Sequence, residues 1–222
     1  MADIELILFD IDGTLLWPKG VGRESTRRAM LEIFGTDAGL DGHTFGGKTD
    51  WFTLHELLSE RGYTEDRIGQ MMPVYEQAIA RHLTAIIGDF PVQPCPGALS
   101  LVAELRRRGL LLGVLTGNVS TTAPVKLRAA GFDPAWFPVG AYGSEAADRN
   151  LLPFLALERA RRQLRRPVMP EQVIVVGDTP ADVACARALG AVAVAVLTGF
   201  STREALVAAA PDHLLDDLTQ FA

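Results

Sequence analysis

Cysteine is scarce in this chain. Its 222 residues hold only Cys95 and Cys185, with no C-x-x-C spacing and no histidine beside either. That excludes a disulfide framework and a zinc site of the usual spacing, and the pair fits a reducing compartment. Positive charge is in deficit too: 21 Lys and Arg stand against 27 Asp and Glu, a net charge of −6. Neither nucleic acid nor an anionic membrane surface is therefore the expected partner. No apolar run approaches the ~18 residues of a membrane-crossing helix. The opening Met-Ala-Asp-Ile-Glu carries no basic stretch ahead of its apolar one, unlike a signal peptide. The expectation is a soluble, cytoplasmic protein. Internal repeats and low-complexity tracts are absent as well. What the chain does have is apolar content, 48%. That suffices for a sizeable core, in one large domain or in a domain with a smaller insert.

Four short runs, Leu6–Phe9, Leu110–Leu115, Val173–Val176 and Ala191–Leu197, are bounded by Gly, Asp or Asn. They are apolar on both faces, the pattern of strands buried in a parallel sheet. Helical patterns lie among them, over 97–108 with a stop at Gly109 and over 181–189 with a stop at Gly190. This alternation predicts an α/β fold with a doubly wound, Rossmann-like parallel sheet. Ligands of such sheets bind at the carboxyl ends of the strands. Between Thr14 and about Pro94 the pattern changes to helical periods near 21–34, 50–61 and 64–87, with no convincing strand. Pro73 either breaks the third or starts a new helix. The expected organisation is a core of residues 1–16 and 91–222 with an all-helical insert over 17–90. Pro91, Pro94 and Pro96 make the return to the core a stiff hinge.

The most informative stretch is Ile7-Leu8-Phe9-Asp10-Ile11-Asp12-Gly13-Thr14-Leu15. Burying one carboxylate is costly, and two close together cost more unless a cation or hydrogen bonds compensate. A D-G turn explains Asp12 but not Asp10. Thr116-Gly117-Asn118 follows the second strand, where a hydroxyl and exposed N–H groups can cradle an anion, or where the chain simply turns. Gly177-Asp178-Thr179-Pro180-Ala181-Asp182 follows the third. Pro180 suits a helix start. Asp182 serves either as a cap or in a site. Parallel strands put Asp10 and Asp178 on one sheet edge, and oxygen-only ligands there favour Mg²⁺. The cluster Arg161, Arg162, Arg165 and Arg166 is read as the positive end of a helix starting near Asn150, not as an anion site.

With these residues in order, the chain resembles the haloacid dehalogenase superfamily, in its phosphatase branch. The matching elements are Asp10, Asp12, Gly13 and Thr14; then Thr116; then Gly177, Asp178 and Asp182. The insert after Asp12 is similar to that family's helical cap, and Asp212–Leu218 to its short last strand. The resemblance implies that Asp10 attacks phosphorus to form an aspartyl phosphate and that Asp12 is the general acid and base. It implies Mg²⁺ held by Asp10, the Asp12 carbonyl and Asp178, with Thr116, Gly117 and Asn118 on the phosphate and Asp182 behind. The family's Lys-Pro is missing. Lys126, the only lysine after Thr116, comes too early and falls within a helical pattern, so Arg149 is expected to supply the charge.

The acid at Asp12 favours an oxygen leaving group, hence phosphate-ester hydrolysis over dehalogenation. In Gly46-Gly47-Lys48-Thr49-Asp50, Lys48 is a candidate substrate contact, or a solvated loop residue; His43 sits close by in sequence. A cap lysine forming a Schiff base would instead mark a phosphonate hydrolase. A phosphomutase on a sugar phosphate is the alternative enzyme, and an idle, metal-stabilised domain the non-enzymatic one. The expected substrate is a small phosphorylated metabolite, with phosphoglycolate one candidate by resemblance.

Overall fold

Leu6 and Leu8 face one apolar cluster and Ile7 and Phe9 another, so the first strand is buried on both sides. In the computed structural model, which describes residues 3–221, this strand is β1 (Leu6–Phe9). After it come β2 (Leu16–Trp17), α1 (Val21–Phe34), α2 (Asp50–Leu58), α3 (Glu65–Ile86) and β3 (Gln93–Pro94). Next are α4 (Ala98–Arg107), β4 (Leu111–Thr116), α5 (Ala123–Ala129), β5 (Val139–Tyr142), α6 (Leu152–Leu164) and β6 (Val173–Gly177). The chain closes with α7 (Pro180–Leu189), β7 (Val192–Val196), α8 (Arg203–Ala208) and β8 (His213–Leu215).

Six strands form one sheet in the order β5-β4-β1-β6-β7-β8, every pair parallel. Helices α6 and α7 cover one face through Ala156, Leu157, Val183 and Ala186. Helices α4 and α5 cover the other through Ala98, Val102, Ala123 and Leu127. This is the doubly wound α/β architecture expected. The register sets Phe9 opposite both Val114 and Val176. Asp10, Thr116 and Asp178 therefore leave three adjacent strands at nearly the same level.

Three strands, β2, β3 and β5, were not legible in the sequence. β5 is only Val-Gly-Ala-Tyr, too short to stand out as an apolar run. The proline-rich return, expected as a stiff hinge, is tied down by strand pairing: β2 and β3 pair antiparallel, Leu16 with Pro94 and Trp17 with Gln93. The Cys95 N–H also donates to the Leu15 carbonyl at 2.9 Å. Pro94 is tolerated because a two-stranded ribbon is all edge.

The helices between these two passages bury their own cluster, including Met30, Leu40, Leu54, Ile68, Met72, Tyr75 and Ile79. α3 runs unbroken through Pro73. The missing N–H and the ring clash cost about 3 kcal/mol. Met72, Tyr75, Ile79, Leu83 and Ile86 are all buried on that helix, each worth roughly 1.5–3 kcal/mol, so packing decides. At the end of α6, Arg161 donates to the Val168 carbonyl (3.0 and 2.9 Å) and Arg166 pairs with Glu5. Two of the four arginines, Arg161 and Arg166, thus have structural partners. Among the described residues no helix is long and apolar enough to cross a membrane.

Candidate active site

Asp10 directly follows β1, and the chain turns at Gly13 with φ +91°. A Cβ there would come within 2.6 Å of Asp178 Oδ2, so the turn needs glycine twice over, for its torsion and for its closeness. Asp178 Oδ2 accepts from the Phe200 N–H at 2.8 Å, and Oδ1 accepts from Thr14 Oγ1 at 3.3 Å. Gly199 also lies against this carboxylate, where any Cβ would overlap Oδ2.

Asp10, Asp178 and Asp182 are all buried, and one oxygen from each lies within 4.8 Å of the others. Asp182 works with both oxygens. Oδ2 accepts from the Thr179 N–H (3.0 Å) and Oγ1 (2.7 Å), capping α7. Oδ1 accepts from Arg149 Nη2. Arg149 sits in a 3₁₀ turn, Arg149–Leu151, just before α6. It is buried, and its Nη2 reaches within 3.3 Å of Asp10 Oδ1. Burial works against the guanidinium charge, but Asp182 and Asp10 outweigh it and hold its pKa above the ordinary value. Burial pushes Asp10 up to about 7, against the pull of Arg149 and with the push of Asp182 and Asp12. Burial likewise raises Asp178 well above the usual range, with Asp182 and Asp10 adding to it. Three buried acids with one arginine are short of positive charge. An oxygen-only donor set in that condition fits a hard divalent cation.

Gly199→Ala should therefore weaken divalent-cation affinity at least about tenfold, because outer contacts on a ligand carboxylate are worth that much. Calorimetric Mg²⁺ titration measures it, with an unchanged affinity as the contrary result.

Beside the acids lies a second set. Thr116 Oγ1 accepts from Asn118 Nδ2 at 2.7 Å, which leaves its own proton to donate. Asn118 Nδ2 also donates to Asp12 Oδ2 at 2.8 Å. Lys126 Nζ lies 2.6 Å from Asp12 Oδ2 and 2.6 Å from Asn118 Oδ1. In sequence Lys126 comes too early for the expected cation and falls within a helical pattern. It is on a helix, α5, but the chain folds back between Asn118 and Thr122, so the buried side chain points to the strand ends. Two buried polar atoms here have no hydrogen-bond partner, Asp12 Oδ1 and Arg149 Nε.

These groups line a cavity of about 320 Å³. Its opposite wall comes from the helical insert: Arg23, His43 and Lys48. Lys48 Nζ lies 2.5 Å from Glu56 Oε2. Arg23 holds the loop backbone at the His43 carbonyl, 2.8 Å away. His43 Nε2 is buried without a partner, and burial, then the charge of Lys48, lowers its pKa. The insert is latched to the sheet edge beside the cavity. The Asp50 N–H donates to the Gly117 carbonyl (2.8 Å) and the Val119 N–H donates to Asp50 Oδ2 (3.0 Å). Glu76 Oε1 accepts from the Ser120 N–H at 3.1 Å and from its hydroxyl at 3.0 Å. Burial raises Asp50 to about 6.

A family model described as haloacid dehalogenase-like hydrolase matches residues 4–190. The chain belongs to that family. It stands in the phosphatase branch: a phosphoglycolate phosphatase of Synechococcus elongatus is 33% identical over 217 residues, covering 96% of this chain and 93% of the relative. Protein CbbY of Cereibacter sphaeroides is 30% identical over 236 residues, covering 98% and 94%. A solved structure of CbbY from Rhodobacter sphaeroides in complex with xylulose-(1,5)bisphosphate has a TM-score of 0.68 at 25% identity, covering 98% of this chain and 96% of that one.

In this hydrolase the expected residues Asp10, Asp12, Thr116, Gly117, Asn118 and Arg149 line one cavity, with Lys48 across from them. Asp178 and Asp182 lie behind, against Asp10. Lys126, Asp50, Glu76 and Gly199 join them through contacts that only the folded chain makes. Of these, Lys126 alone carried a signal in the sequence, as the one lysine following Thr116.

Proposed function

We propose that this hydrolase is a Mg²⁺-dependent phosphatase that cleaves a small phosphorylated metabolite by way of an aspartyl phosphate on Asp10. One observation carries the reading: a buried carboxylate gripped by Arg149 shares its cavity with a second acid whose Oδ1 is buried and bare. The first is placed to attack and the second to move a proton. Asp10, Asp178 and the Asp12 carbonyl would hold Mg²⁺, which when bound offsets the repulsion between nucleophile and phosphate and stabilises transition-state charge.

The remaining steps belong to the chain's own groups. Asp10 bonds to phosphorus as the ester bond breaks, and Asp12 gives its proton to the leaving oxygen. Asp12 then takes a proton from the water that displaces Asp10. Thr116 Oγ1 and the N–H groups of Gly117 and Asn118 hold the transferring oxygens, and Arg149 Nε offers one more donor. Asp182 fixes Arg149. The rest of the substrate meets the insert, residues 17–90 serving as a cap over a core of 1–16 and 91–222, with Lys48 the foremost contact. A cavity of about 320 Å³ suits a small metabolite, and phosphoglycolate, which names the Synechococcus relative, is one candidate.

Phosphate release across a panel of metabolite esters tests this. At least one ester should be hydrolysed with Mg²⁺, lose turnover in a chelator and regain it on Mg²⁺ addition. Isomerised sugar phosphate in place of free phosphate would make the enzyme a mutase, and silence across the panel would end the proposal.

A further inference from the structure

The geometry points to Lys126 as a positioning residue that fixes which oxygen of Asp12 carries the catalytic proton. The inference rests on the phosphatase reading above and deepens it. Asp12 presents two oxygens of different standing. Oδ2 receives Lys126 Nζ at 2.6 Å and Asn118 Nδ2 at 2.8 Å. Oδ1 is buried and receives nothing. A proton placed on Oδ2 would collide with two donors already aimed at it, so the acid form carries its proton on Oδ1. Lys126 is itself held: it is buried, its Nζ also donates to Asn118 Oδ1 at 2.6 Å, and Asn118 in turn donates to Thr116 Oγ1 at 2.7 Å. The ring Asp12–Lys126–Asn118, with Thr116 attached through Asn118, thus ties the acid to the hydroxyl that would face the phosphate. Gly22 of α1 makes room for it, since a Cβ there would stand 3.3 Å from Nζ.

In the first half-reaction the P–O bond to the leaving group breaks as Asp10 bonds to phosphorus, and the Oδ1 proton goes to the leaving oxygen. In the second, a water oxygen bonds to phosphorus, its proton goes to Oδ1, and Asp10 leaves with its electron pair. No other reactant is needed. A side chain that merely supports the fold would slow all substrates alike. One that aims the acid matters in proportion to how badly the leaving group needs a proton.

The test compares kcat/KM, which reports steps through leaving-group release, for 4-nitrophenyl phosphate and for the best alkyl phosphate of the panel. Nitrophenolate departs without a proton, while an alkoxide does not. Lys126→Met should lower kcat/KM for the alkyl ester about 100-fold or more and for the aryl ester less than about tenfold. Lys126→Arg, which keeps a cationic donor, should recover much of the alkyl activity. Equal losses on both esters would overturn the inference. If the Met variant does not fold, Lys126→Gln and Lys126→Arg are compared in the same way, and a loss that ignores the leaving group overturns it equally. An unmodified enzyme that hydrolyses neither ester would instead refute the phosphatase reading.

Discussion

Asp10→Asn should abolish turnover and raise the melting temperature of the metal-free protein at pH 8. Both effects follow from one carboxylate. On the proposed mechanism turnover is lost because an amide at this position does not form the acyl phosphate. The stability gain comes from the environment of Asp10, whose pKa burial lifts from an unfolded value near 3.8 to about 7. Between those pH values the native state binds more protons than the unfolded chain, so stability falls as pH rises through that window. Above it the full penalty stands, on the order of 4 kcal/mol at most. The amide carries no such penalty. In a chelator the variant should melt on the order of 5–10 °C above the parent at pH 8, and the two should nearly coincide at pH 4. Mg²⁺ should stabilise the parent more than the variant. A gain of equal size at both pH values would show that Asp10 is not the strained group.

The second large effect is at Arg149. Arg149 is buried between Asp182 and Asp10. Removing one partner of a buried ionic set leaves the others uncompensated and costs roughly 3–5 kcal/mol. Arg149→Met should therefore lose stability by that amount in a chelator and lose kcat/KM by about a thousandfold with Mg²⁺ present. Arg149→Lys separates the two losses. It keeps the charge and most of the stability but gives up the planar fork that serves two acids at once. Its kcat/KM should fall between parent and Met variant. If denaturant melts show the Met variant unstable while its folded fraction turns over normally, Arg149 serves the fold alone.

The acids were legible because each is part of an apolar run. Asp10 and Asp178 are the first polar residues after strands buried on both faces, and parallel register does the rest. Asp182 was legible as either a cap or a site residue, and the structure shows each oxygen taking one role. Lys126 was not legible. Its place depends on how the chain folds back after Asn118, and helical periodicity says which face a side chain is on but not what lies opposite. Gly199 was hidden for a similar reason, since its contact with Asp178 joins the ends of two separate strands. Pro73 misled in the other direction: a local breaking tendency was outweighed by packing that only the assembled helices reveal.

The double service of Asp182 has a cost in freedom. The same carboxylate that starts a helix also holds the arginine beside Asp10, so the opening turn of α7 cannot fray without loosening Arg149. The backbone there must stay wound for the chemistry to stay aligned. A stabilising change elsewhere on α7 would steady the reactive centre, and a harmful one would reach it without touching any group that meets the substrate.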